Sequence, residues 1–210
     1  MSENLSNALR TVASSLETPV IAALLLFMAA ALFLLGSLIA EYFTERVHLR
    51  ARLPELADKL RAEKADIPAV IAESGLLRRQ RAALTELTQH ETLTPPMREA
   101  LALRLVQTER ERYEGVVRVS DVIAKLGPMF GLLGTLIPLG PGIIALGRGD
   151  TYTLSLSLLT AFDTTIAGLV AAAVAFVISA VRKKWYAGYM ASLEMIMTCV
   201  LEVENEKQIR

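Results

Sequence analysis

The chain has 210 residues, 53% of them hydrophobic, a mean hydropathy of +0.42 and a formal net charge of zero. A neutral balance excludes a nucleic-acid binder that works by neutralising phosphates. The single cysteine, Cys199, excludes an internal disulfide, and with only His48 and His90 beside it there is no metal-ligand spacing.

Charged residues still make up 21% of the chain, so apolar and charged residues must be segregated along it. Residues 1–18 form a short polar lead. Val20 to Ala40 carries no charge and is rich in Leu and Ala. It exceeds the roughly 7–15 residues of a signal-peptide core, and Glu3, Arg10 and Glu17 before it do not make a basic leader. The reading is a retained first span over 19–41. Residues 42–118 are polar and helix-like, with periodic Leu and Ala among many charges. Breakers at Pro54, Pro68, Gly75 and Pro95-Pro96 cut this region into short helices. It reads either as a partner-binding region or as a helical collar against the inner ends of the spans, the collar being preferred.

A helix starting near Met97 is predicted to rise into a second span, 119–147, bent at Pro128. Pro138, Gly140, Pro141 and Gly142 are predicted to disrupt that span near its outer end. Residues 148–152 make an outer loop, and a third span follows over 153–182. The tail, 183–210, repeats Tyr189, Leu193, Ile196, Val200 and Val203 as an amphipathic helix. Its Glu194, Glu202, Glu204 and Glu206 read either as a cation-attracting mouth or as a soluble tail, the latter preferred. A span needs about 20 apolar residues, and all three stretches have them.

Orientation follows from Lys and Arg. Only Arg10 precedes the first span, whereas Arg46, Arg50 and Arg52 follow it, and Arg182, Lys183 and Lys184 close the third beside Trp185, Tyr186 and Tyr189. The positive-inside rule puts the N-terminus outside and the middle region and C-terminus in the cytoplasm.

Asp163 is the one charged residue between Thr151 and Val181. A carboxylate in hydrocarbon costs a few kcal/mol or more and normally faces protein or water. With Thr160, Thr164 and Thr165 around it, ion movement is the first expectation. The threonines also have a plain reading, hydrogen bonds to the preceding turn of their own helix. Small residues (Gly127, Gly131 and Gly134 in span two, Gly168 with several alanines in span three) mark a close-packed helix pair. Span one, bulky in Leu and Phe, faces lipid. Three helices cannot enclose a pore, so a ring of copies is implied. Counting from the outer loop at about 1.5 Å per residue, Thr135 and Asp163 each lie roughly 20 Å deep. Thr165 is turned about 200° from Asp163, so one of the two lines the lumen while the other meets a neighbouring helix or chain.

Gly127-Pro128-Met129-Phe130-Gly131-Leu132-Leu133-Gly134-Thr135 resembles the first signature of the MotA/TolQ/ExbB proton-channel family. Residues 161–172, running from Ala161-Phe162-Asp163-Thr164-Thr165 to Ala172, resemble its second. Three spans with an outer N-terminus are similar to the TolQ/ExbB branch. The resemblance implies an all-α integral membrane protein with long cytoplasmic helical extensions, forming a pentamer around a dimer of single-span ExbD/TolR-like proteins that carry a membrane aspartate. It implies an inner-membrane subunit that couples flow of H+ or Na+ to movement of that partner, without catalysis or cofactor. Thr135 and Thr165 match the family's pore threonines; its acidic position in the last span falls at Thr160, and Asp163 departs from the pattern, as do Pro138 and Pro141. A non-conducting scaffold that anchors a partner is the alternative.

Overall fold

The computed structural model describes residues 2–46, 53–62, 66–90 and 93–209, and among them every regular element is helical. They are α1 (Ser2–Ser15), α2 (Glu17–Glu41), a π-turn at Tyr42–Arg46, α3 (Leu53–Arg61), α4 (Ile67–Glu73), α5 (Arg78–Gln89), α6 (Pro95–Gly147) and α7 (Thr151–Ile209). Three of the helices, α2, α6 and α7, are long and apolar enough to cross a membrane. Arg50 and Arg52 lie outside the described residues, as do the side chains of Arg10, Arg46 and Glu206.

The chain divides into two compact units. The first holds Met1–Leu38 and Arg118–Ala180. Here α6 and α7 form an antiparallel hairpin with a three-residue connection, Arg148 to Asp150. Gly149 adopts φ +77°, a left-handed conformation that favours glycine. The Asp150 carboxylate then starts α7: the Thr153 backbone N–H donates to Oδ1 at 3.0 Å and the Thr153 hydroxyl to Oδ2 at 2.6 Å. On one flank of the hairpin lies α2, through Ala31 and Leu34 against Ile123 of α6 and Ala171, Ala175 and Ile178 of α7. Phe27 meets Phe130 edge-on at 5.4 Å.

The disruption expected of Pro138 and Pro141 does not occur, since α6 runs through them, and through Pro128, to Gly147. Proline's fixed φ is itself helical. What is lost is one N–H per ring, which leaves the carbonyls of Ala124, Gly134 and Ile137 without an intrahelical donor.

The second unit holds Ile39–Val117 and Val181–Arg210. The short helices lay Leu56, Leu60, Ile67, Ile71, Leu84 and Leu87 into one core with Tyr113 and Val117 of α6 and Leu193, Ile196 and Val200 of α7. Gln80, itself buried, accepts from the Leu77 N–H and donates to the Tyr189 carbonyl at 2.9 Å. Two sequence expectations are corrected here. Glu204 is not solvated: it is buried and ion-paired with the equally buried Arg98. Glu194 is exposed but bound to Arg110 at 2.6 Å, so two of the mouth's three described glutamates, Glu194 and Glu204, are held in ion pairs. Arg182 is likewise buried and paired with Glu41 at 3.2 Å, leaving Lys183 and Lys184 as the exposed cations after α7's apolar part.

Candidate ion-pathway site

The hairpin's register is fixed by its small residues. Gly142 abuts Ser157, Gly134 abuts Thr164, Gly131 abuts Gly168, and Gly127 abuts Gly168 and Ala172. The approach is tight: an ideal Cβ on Gly168 would stand 2.6 Å from the Gly127 carbonyl oxygen and 2.9 Å from the Gly131 Cα. One on Gly134 would stand 2.6 Å from the Thr164 side chain. Only glycine permits these backbones to pass at that distance, the small-residue seam of membrane helices.

That register puts Thr135, next to Gly134, within about one helical turn of the level of Thr160, Asp163, Thr164 and Thr165. Their faces differ. Thr164 is buried in the seam beneath Gly134. Thr135 and Thr165 are half-buried and stand about 60–70° from the seam on their respective helices. Because the helices are antiparallel, both turn to the same flank, the one opposite α2. Thr160 lies between the seam and Asp163. Asp163 is exposed on a third face, among Leu159, Phe162 and Ile166, each more than half exposed. The polar residues therefore share one depth but not one direction.

All four hydroxyls back-bond to their own helix. Thr135 donates to the Leu132 carbonyl at 2.7 Å, Thr160 to Leu156 at 3.1 Å, Thr164 to Thr160 and Ala161 at 3.0 Å each, and Thr165 to Ala161 at 3.1 Å. This satisfies each hydroxyl proton locally and leaves the oxygen lone pairs as acceptors. An oxygen of that kind on an apolar wall suits a proton carrier or a monovalent cation. Among the described residues no group of His, Cys, Asp and Glu has the geometry of a metal site.

One polar pair escaped sequence reasoning. The Ser179 hydroxyl of α7 donates to the Asp121 carboxylate of α6. Asp121 sits just before the uncharged run of span two, and Ser179 looks unremarkable among Ala and Val. The signal was their spacing from the threonines, fourteen residues in each helix. Outside the apolar segments, Asp150 holds its carboxyl below the usual Asp range, chiefly because the Thr153 hydroxyl and then its N–H stabilise the charged form.

The sequence profile of the MotA/TolQ/ExbB proton channel family matches residues 72–195. No curated protein matches the chain.

Proposed function

Because the chain belongs to the MotA/TolQ/ExbB proton channel family and has three helices able to cross a bilayer, it is a multi-pass channel subunit in general terms, and we propose that it conducts H+ or Na+ along the Thr135–Thr165 flank of its α6–α7 hairpin. The observation that carries this reading is the pair of acceptor hydroxyl oxygens, on two helices at one level, facing away from α2.

A ring of copies supplies the enclosure that one hairpin lacks. Asp163 argues for such a ring independently. An exposed carboxylate among large apolar side chains would cost a few kcal/mol or more against lipid, so another protein chain covers that face. The ring is a pentamer of the TolQ/ExbB type in the inner membrane, N-terminus outside, surrounding a dimer of single-span ExbD/TolR-like proteins. Each ion descending the gradient supplies about 2.3 kcal/mol per 100 mV, enough to move the partner past several weak contacts. The subunit is a conductor and not an enzyme.

The test is ion uptake by vesicles holding the complex with its partner, read with a pH-sensitive dye and with radioactive sodium. Thr135→Val and Thr165→Val are expected to cut uptake at least tenfold while the complex keeps its size. Full uptake by both variants would refute the assignment, and a wild-type complex that moves no ion would favour a scaffold.

A further inference from the structure

Resting on the conducting flank just described, we propose that Asp121 is a second station of the ion pathway, at the far end of the same flank from the outer turn. Asp121 precedes Thr135 by fourteen residues on α6, and Ser179 follows Thr165 by fourteen on α7. Fourteen residues are close to four full turns, so each pair keeps roughly one azimuth while moving about 21 Å along the helix. In an antiparallel hairpin this sets the Asp121–Ser179 bond directly beneath the two threonines, again on the side away from α2.

Pro128 stands midway, seven residues from both Asp121 and Thr135. Its ring deprives the Ala124 carbonyl of an intrahelical donor, while Ala124 itself packs against the cluster that holds Ala31 and Leu34 of α2. The flank thus carries two levels of oxygen acceptors, the threonine hydroxyls and the Asp121 carboxylate, with the exposed Lys125 one turn from Asp121 on α6. The carboxylate is the stronger acceptor of the two, and Asp121 is only partly buried, so it remains reachable from outside the seam. Its chemistry fits a proton or a monovalent cation leaving the threonine level.

A structural role, holding α6 to α7 through Ser179, makes different predictions. Asn at 121 keeps an amide oxygen for the Ser179 hydroxyl and removes only the charge. Asp121→Asn is therefore expected to assemble and to lose at least tenfold in vesicle uptake. Asp121→Glu is expected to retain a third or more of wild-type uptake, and Ser179→Ala, which leaves the carboxylate in place, to retain most of it. Near-normal uptake by assembled Asp121→Asn overturns the inference. So does loss in Ser179→Ala as complete as in Asp121→Asn, or failure of Asp121→Asn to assemble, since each assigns the pair to holding the hairpin. If the wild type conducts, Thr165→Val does not and Asp121→Asn does, only this inference fails. If the wild type itself is silent, the conducting flank fails with it.

Discussion

Asp163 and Thr165 are two positions apart and meet different surroundings, because two steps along a helix turn a side chain by about 200°. Thr165 shares a flank with Thr135, and Asp163 looks outward among exposed apolar residues. Asp163→Asn, which keeps shape and removes charge, is expected to abolish partner-driven uptake in vesicles without changing the size of the purified complex. Normal partner-driven uptake would remove Asp163 from the site. At the seam, Gly168→Ala forces a Cβ to within 3 Å of backbone atoms that cannot yield, and overpacking of that kind costs about 1–3 kcal/mol. At Gly131 the nearest atoms would be 3.5 Å away, an ordinary contact. Thermal unfolding in detergent should therefore drop for Gly168→Ala and stay within about 0.5 kcal/mol of wild type for Gly131→Ala. The glycines and threonines were legible in the sequence because their spacing and surroundings are unusual. The Asp121–Ser179 pair was not, because a hydrogen bond between residues 58 apart depends on a register that only the folded hairpin fixes.

At the scale of elements, the sequence marks where helices begin more clearly than what their prolines do. Pro54, Pro68 and Pro95-Pro96 fall in the first turns of α3, α4 and α6 and Gly75 between α4 and α5, whereas Pro138 and Pro141 lie within an unbroken α6. Charge was the least legible property, since Glu204, read as part of a soluble tail, and Arg182, read only as a mark of orientation, are both buried in ion pairs. Removing one partner of a buried pair strands the other, at about 3–5 kcal/mol, while replacing both with apolar residues is close to neutral. Arg98→Met should thus lower the unfolding midpoint markedly, and Arg98→Met with Glu204→Leu should recover most of the loss. A double variant no more stable than the single one would contradict this. The start of α7 responds to pH in a defined direction. The Asp150 pKa is depressed in the folded chain, so its capping contribution is complete above the unfolded value of about 3.9 and fades as pH falls through the lower folded value. Titration of the Asp150 carboxyl by NMR should place its midpoint below 3.9.

At the scale of the whole molecule, the family and three helices able to cross a membrane fit a channel subunit in general terms, and the exposed Asp163 face is what the proposed ring would cover. Mass measurement of the detergent-purified complex is expected to give five copies; a monomer would remove the enclosure on which conduction depends. The back-bonded threonines carry a last consequence for that complex. A hydroxyl whose hydrogen is already given to a backbone carbonyl has none to offer a chloride ion, and the helical backbone beside it has spent its own hydrogens in the same way. On the proposed pathway, discrimination by the sign of charge is expected from local helix geometry, before any filter is assembled. Replacing every anion in the bath should leave the current through the reconstituted complex unchanged.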